Sequence, residues 1–356
     1  MFHLLEELDI SVVIITRNEE ENIEECIKSV ICAVNYAREK KLIQSYEIIL
    51  VDSDSSDNTV RIASNFPLKI IQLKKSMPLS AGAGMFVGTI HSKGKFLAKV
   101  DGDSVLYEDW FANSIPYFNQ ESIAGVTGIY VEEVNTTNSI SKAYSQASKN
   151  QHLGEIDVIA TGLFKKSILY EVGLFNPFLK AAEDRDISWK ITEKGYKLLK
   201  IPYFEMRHYI ANRSKELTYR EHFKKMYIYS VGEGHAARYA LKDKKLLKKY
   251  IVKYFNINFA KVYISILLWI NVITANYLLI KVSYFPEYLL LINLLLFILF
   301  LFILLVRLKS KSLDKLLFSY QAYPYVLIRQ YGFFRGLLKS PKGVDQYPLD
   351  LNYIKQ

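Results

Sequence analysis

From Ile10 to Met206, short runs of β-branched and aliphatic residues alternate with longer stretches of helical spacing. Ile10–Ile15 and Glu47–Val51 read as buried strands, each closed by polar residues: Thr16-Arg17-Asn18-Glu19 after the first, Asp52 through Thr59 after the second. Between them, Asn22–Tyr36 carries Ile23, Ile27, Val30, Ile31 and Val34 on one helical face. Val60–Ser64 continues as helix, Leu68–Leu73 as a third strand, and Leu79–His91 as a helix loosened by Gly82, Gly84 and Gly88. A fourth apolar run, Phe96–Val100, ends in Asp101-Gly102-Asp103. Ile123–Val131, Val158–Phe164 and Ile201–Met206 add further strands, Ser139–Gln151 reads as a polar flap, and Ala182–Trp189 opens an acid-rich helix. Alternation at this short period predicts an α/β domain with a mostly parallel, Rossmann-like sheet.

Beyond the domain, taken as residues 9–213, the pattern changes. Residues 214–254 are basic and amphipathic, which reads as interfacial helices. Val262–Ile280 and Tyr288–Val306 each have the length of a membrane span, joined by a short connection containing Pro286, so residues 255–308 are expected to form a transmembrane hairpin, with an interfacial or buried helix as the alternative for Val262–Ile280, which carries Asn271 and Asn276. Residues 309–356 form a basic, aromatic tail expected to lie back on the membrane. Lys and Arg outnumber Asp and Glu by 46 to 36, and the excess concentrates at Lys242–Lys253 and Arg307–Lys315, on both flanks of the apolar stretch. That placement points to an anionic membrane and excludes nucleic acid as a partner, no nucleic-acid motif being present. With both outer flanks basic, the expectation is a multi-pass cell-membrane protein, two spans and a cytoplasmic catalytic domain. The acidic N-terminus has no signal-peptide character, and two cysteines, Cys26 and Cys32, sit in one expected helix without metal spacing.

The candidate chemistry sits at the strand ends. In open α/β sheets ligands bind beyond the carboxyl ends of the strands, where Thr16, Asn18, Asp52, Asp101 and Asp103 would gather. Two carboxylates separated by one glycine repel each other unless a cation lies between them, and Mg²⁺ or Mn²⁺ with phosphate oxygens completing the shell suits that donor set. The bland alternative is that Asp-Gly is simply a favourable turn pair.

Taken in order, TRNEEENI, VDSDSSDNT, KFLAKVDGDS, TGLF, VGLFNPFL and AEDRDISWKI resemble glycosyltransferase family 2, with the GT-A fold, over roughly Ser11 to His208. The resemblance implies roles. Thr16, Asn18 and Glu19 belong to the first nucleotide-contacting loop, and Asp52 reads the base. Asp101 lies near ribose and metal, and Asp103 binds Mg²⁺ or Mn²⁺. Thr161, Gly162 and Glu183 line the acceptor side, and Asp184 is the general base. His208 stands where some members place a further metal ligand or diphosphate contact, against the alternative of a structural histidine. Two departures stand out: Gly84–Gly88 carries no charge where many members have Arg-Asn near the diphosphate, and Asp54 replaces a common glycine. The processive Q-x-x-R-W signature is absent, which implies single additions.

The implied reaction is metal-dependent, inverting transfer of a sugar from a UDP- or GDP-sugar to a lipid-linked saccharide for glycan or cell-envelope synthesis. Transfer to a polyprenyl or dolichyl phosphate is the alternative, and a non-catalytic membrane-tethered binding protein the remote one. Sugar nucleotidyltransferases are disfavoured, because the loop after the first strand contains no glycine.

Overall fold

The computed structural model describes residues 8–133, 153–209, 219–254, 328–329 and 331–355. Its centre is one mixed sheet. Strands β1 (Leu8–Thr16), β2 (Tyr46–Asp52), β3 (Lys69–Gln72) and β4 (Gly94–Asp101) form a parallel block in the order β3-β2-β1-β4. The apolar runs expected as strands supply it: Val12, Val13, Ile14, Ile49, Leu50 and Val51 are wholly or almost wholly enclosed, as strands covered on both faces require.

Past β4 the sheet stops being parallel. β8 (Gly162–Lys165) runs antiparallel to both β4 and β6 (Ile123–Glu133), and β9 (Lys197–Tyr209) lies parallel to β6. β5 (Ser104–Leu106) and β7 (Gly154–Ile156) each pair antiparallel with β9. The expected mostly parallel sheet therefore holds only for the N-terminal block. At the opposite edge β10 (Asn352–Lys355), from the far end of the chain, pairs antiparallel with β3.

Helices cover both faces. On one, α1 (Ile23–Glu39) buries Ile23, Cys26, Ile27, Val30, Ala33, Val34 and Ala37, a stripe at helical period, and α2 (Thr59–Ala63) and α4 (Trp110–Ser114) extend the layer. On the other lie α3 (Ala81–His91), α5 (Lys166–Glu171) and α6 (Glu183–Glu193). The glycines of α3 tighten this packing instead of loosening the helix: a Cβ at Gly88 would stand 2.3 Å from Val13 Cγ1. The helix thereby lies close against β1.

Two further helices follow, α7 (Tyr219–Tyr239) and α8 (Lys244–Tyr254), and residues 331–337 are helical. The expected multi-pass membrane location is corrected at this point. Among the described residues no helix is long and apolar enough to cross a membrane. The stretches expected as spans, 262–280 and 288–306, lie outside the described residues, as does Ser139–Gln151. The described C-terminal segments turn their apolar residues towards the domain: Ala236, Ala237, Leu246, Tyr250 and Phe333 cluster with Leu179 and Trp189. Arg185 of α6 pairs with Glu233 of α7, and Arg329 stands 3.6 Å from the same carboxylate. The tail likewise packs on the domain, with Tyr347 against Phe86 and its hydroxyl donating to the Pro78 carbonyl at 2.8 Å.

Candidate active site

The chain leaves β1 towards β2 and β3 on one side and returns to β4 on the other, so a switch point lies between the carboxyl ends of β1 and β4. A cavity of about 310 Å³ opens there, lined by Thr16, Arg17, Glu19, Ser53, Ser80, Ala81, Asp101, Gly102, Asp103 and His208 among others. Its floor is made by contact between the two strand ends. Ile15 is in register with Asp101, and Gly102 N–H donates to the Ile15 carbonyl at 2.9 Å. A Cβ at Gly102 would lie 2.7 Å from Thr16 Oγ1, so the residue between the two acids has room for hydrogen only. Thr16 Oγ1 is itself buried without a hydrogen-bond partner.

His208 reaches this place through sheet register: Ser104 of β5 pairs with His208 of β9, and His208 Nε2 lies 3.0 Å from Asp103 Oδ2. Burial raises the pKa of Asp101, Lys99 opposes that rise, and the negative charge of Asp103 adds to it. Burial also raises Glu19, against the hydrogen bond from Asn22, with Asp103 and Asp57 adding to the rise. Burial, followed by the field of Asp103 and Asp101, drives the nearby Cys26 thiol far up, which keeps it protonated and out of the chemistry.

Two carboxylates and an imidazole facing one cavity, with an unpartnered threonine oxygen beside them, fit Mg²⁺ or Mn²⁺. Among the described residues no three His, Cys, Asp or Glu side chains are arranged to hold a metal ion by themselves, Asp101, Asp103 and His208 included. That suits a hard cation taking the rest of its shell from substrate phosphate and water.

The two nucleotide-loop segments are tied to each other. Asn18 Oδ1 accepts from Ser56 N–H and Asn18 N–H donates to Ser55 Oγ, both at 2.8 Å, while Glu19 N–H donates to Thr59 Oγ1 at 2.8 Å. Asn18 and Asp54 have φ of 56° and 60°, left-handed values that Asn and Asp tolerate, which accounts for Asp54 at a position where glycine is common. Asp52 is fully buried and accepts from Ser55 N–H and Gln72 Nε2, both at 2.9 Å. Ser53, not Asp52, lines the cavity, and Asn18 stands off the wall.

On the opposite side, Ala182 takes a left-handed φ of 67° and hands the chain to α6, whose first turn presents Glu183 and Asp184. Gly162, at φ 147°, opens β8 in register with Lys99. The buried Glu205 carboxylate, near Thr161, accepts from Thr127 Oγ1 at 2.7 Å and Gly128 N–H at 2.6 Å, both on Oε2. Glu183, but not Asp184, lines a second cavity of about 370 Å³ that shares Ala81 with the first.

Two residues inside the motifs, neither given a role of its own by the resemblance, also belong here. Lys99 is 5% exposed; its ammonium donates to the Ala160 carbonyl at 2.7 Å and lies 3.9 Å from Glu183 Oε1. Burial opposes its charge, but Asp101, Glu183 and Asp184 together outweigh that and raise its pKa. Glu183 is raised by burial, with Lys99 pulling against it. A lysine inside an otherwise apolar strand was the available signal. The second is Arg17 at the cavity mouth. It and the N-terminus of α3, capped by Ser80 accepting from Ala83 N–H at 3.0 Å, supply positive potential where the charged helix pair is missing.

Residues 11–173 match the family described as Glycosyl transferase family 2. Glycosyltransferase AglE of Haloferax volcanii is 25% identical over 53% of this chain and 63% of its own length. Dolichyl-phosphate beta-glucosyltransferase ALG5C of Trichomonas vaginalis is 28% identical over 26% of this chain and 31% of its own. Poly(ribitol-phosphate) beta-glucosyltransferase of Bacillus spizizenii is 25% identical over 54% and 30%. The chain thus spans less than two thirds of each of these relatives. Among solved structures, mannosyltransferase PcManGT from Pyrobaculum calidifontis, in complex with GDP-Man and Mn²⁺, superposes with a TM-score of 0.55 at 16% identity, over 93% of this chain and 88% of that one. That likeness concerns the fold. Residues 11–173 are thus similar to the glycosyltransferase family 2 domain.

Proposed function

We propose that the protein is a hexosyltransferase moving one sugar from a nucleoside-diphosphate sugar to a lipid-linked acceptor, with inversion at the anomeric carbon. The observation that carries the reading is the pairing of two unlike walls around β4. Asp101, Asp103 and His208 stand on one side, Glu183 and Asp184 on the other, and the Lys99 ammonium is buried between them. The names of the relatives add support, since two are glucosyltransferases whose acceptors carry phosphate.

In this mechanism Asp103, with Asp101 and His208 beside it, would hold Mg²⁺ or Mn²⁺, which would supply Lewis-acid stabilisation of charge on the diphosphate. Arg17 and the N–H groups opening α3 bind the diphosphate oxygens and lower the cost of its departure. Thr16, Glu19 and Ser53 shape the nucleoside end, and Asp52 holds their loop through Ser55 and Gln72. Asp184 takes the proton of an attacking hydroxyl, which must come within hydrogen-bond reach. Lys99 holds the Ala160–Gly162 turn and the α6 acids in one arrangement, so donor and acceptor walls keep a fixed spacing.

A second reading, transfer to a polyprenyl or dolichyl phosphate, is favoured by the dolichyl-phosphate enzyme among the relatives. A phosphate oxygen is already ionised, so that acceptor needs no base. The test incubates the purified full chain with radiolabelled UDP- and GDP-hexoses, Mn²⁺ and a lipid extract. Label should enter the organic phase with stoichiometric nucleoside diphosphate. Mild-acid lability of the product then separates a phosphate-linked sugar from a glycan-linked one. No transfer from any donor would overturn the proposal.

A further inference from the structure

The second cavity does not end at Glu183. It runs beneath α7 past Lys180 and Ile228, and both residues also line a third cavity of about 430 Å³ bordered by Val231, Arg335, Leu338 and Lys339. With Ala81 shared at the other end, the donor cavity, the Glu183 cavity and this third one adjoin in series, a path along the proposed acceptor side.

Two properties of the path are unusual together. Its rim is cationic: Lys180, Lys224 and Lys225 around the inner cavity, then Arg335 and Lys339 around the outer one. Among the described residues no carboxylate forms an ion pair with Lys180, Lys224, Arg335 or Lys339. Lys339 is pushed below its ordinary pKa by burial and by repulsion from Lys180 and Arg335. Its wall is apolar: Ile228 is 40% exposed and Leu338 79%, both on the path. Lys180, Lys224, Arg335 and Lys339, with no carboxylate partner among the described residues, beside unburied aliphatic side chains complement an amphiphile whose head is an anion and whose body is a hydrocarbon chain. A free phosphate would leave the aliphatic wall in water, and a polyol-phosphate chain has nothing to lay against it.

We infer that this path is the acceptor subsite and that it takes a single-chain lipid phosphate or diphosphate, the anionic head between Lys180 and the α7 lysines and the chain along Ile228, Val231 and Leu338. The inference rests on the proposed transfer only for the word acceptor; the binding itself does not depend on turnover. It also assigns residues 331–339, far from every sequence motif, a part in substrate recognition.

The probe is farnesyl phosphate, compared by calorimetry with farnesol, inorganic phosphate and soluble poly(ribitol phosphate), on the full chain with UDP or GDP present. Farnesyl phosphate should bind at least tenfold more tightly than any of the other three. The exposed-site variants Lys180→Glu and Lys339→Glu should each weaken it about tenfold, as loss of a charge-assisted contact does, while nucleotide affinity stays unchanged. Leu338→Asp should weaken farnesyl phosphate and leave inorganic phosphate as it was. Unchanged affinity in the charge-reversal variants, or tighter binding of poly(ribitol phosphate) than of farnesyl phosphate, would overturn the subsite. If farnesyl phosphate binds as described and no sugar is ever transferred, the subsite stands and the transferase reading falls. If transfer to lipid proceeds undiminished in both charge-reversal variants, the transferase reading stands and the subsite falls.

Discussion

The donor wall and the acceptor wall meet at β4 and are built in opposite ways. The donor wall is acidic, drawn from the ends of consecutive parallel strands and the loops beside them, and calls for a cation. The proposed acceptor wall opens on the acids of α6 and turns cationic beyond them, through Lys180, α7 and residues 331–339, where it calls for an anion. Lys99 joins the two, a positive charge buried under the acids of both. The contrast teaches that the reaction needs two kinds of electrostatic compensation, one imported with the donor and one with the acceptor, and that the fold supplies its own at the seam.

The largest expected effect breaks the donor wall. Asp103→Ala should lower transfer by about 10³-fold, the order seen when a preorganised charge-stabilising group is removed, and nucleotide-sugar affinity should no longer respond to Mn²⁺ in a calorimetric titration. Retained Mn²⁺ dependence would move the cation elsewhere.

The next sharpens the acceptor wall. Asp184→Asn should reduce turnover by about 10²–10⁴-fold, the range for loss of a general base, with donor affinity intact. Glu183→Gln should raise the acceptor KM more than it lowers kcat, since Glu183 faces the acceptor cavity and Asp184 does not. A reversed pattern in the two variants would exchange their roles.

Lys99→Met tests the seam. Removing one partner of a buried charge cluster typically costs about 3–5 kcal/mol, read as a fall in the urea midpoint at neutral pH. A variant as stable as the parent would mean that the surrounding acids are already protonated.

The smallest effect concerns pH. Burial raises the Glu205 carboxyl above its ordinary value of 4.5, against the hydrogen bonds from Gly128 and Thr127. A raised folded-state value means that the native protein holds the proton longer. Its stabilising contribution is complete below the unfolded value and disappears as pH climbs through the folded one. Glu205→Gln should flatten that decline in a series of urea melts from pH 4 upward, and an unchanged slope would exclude Glu205 as its source.

The same division explains what the sequence disclosed. Strands β1, β2 and β4, helix α1 and the acids at the donor wall were readable, because each lies within a few residues of a hydrophobic run of fixed period. His208 could be suspected from resemblance, but its neighbour could not, since only the antiparallel register of β5 with β9 brings it to Asp103. Asp52 shows the limit from the other side: motif position suggests a wall residue, while Ser55 and Gln72 draw its carboxylate inward. The mixed half of the sheet and the cationic path were not readable, because their pieces come from distant segments whose individual compositions are ordinary. A basic and aromatic tail looks the same in sequence whether its rings meet a bilayer or, like Phe333 and Tyr347, the protein itself.

Strand β10 has a consequence for how the molecule is made. It pairs with a strand synthesised far earlier, so the border of the sheet at β3 stays bare until residues 352–355 have left the ribosome. Closing so long a loop is entropically slow, which makes this the late step of folding and the nascent β3 border a template for wrong pairing in the interval. A tag fused directly after Lys355 would burden that final step, whereas one placed before Leu8 would not.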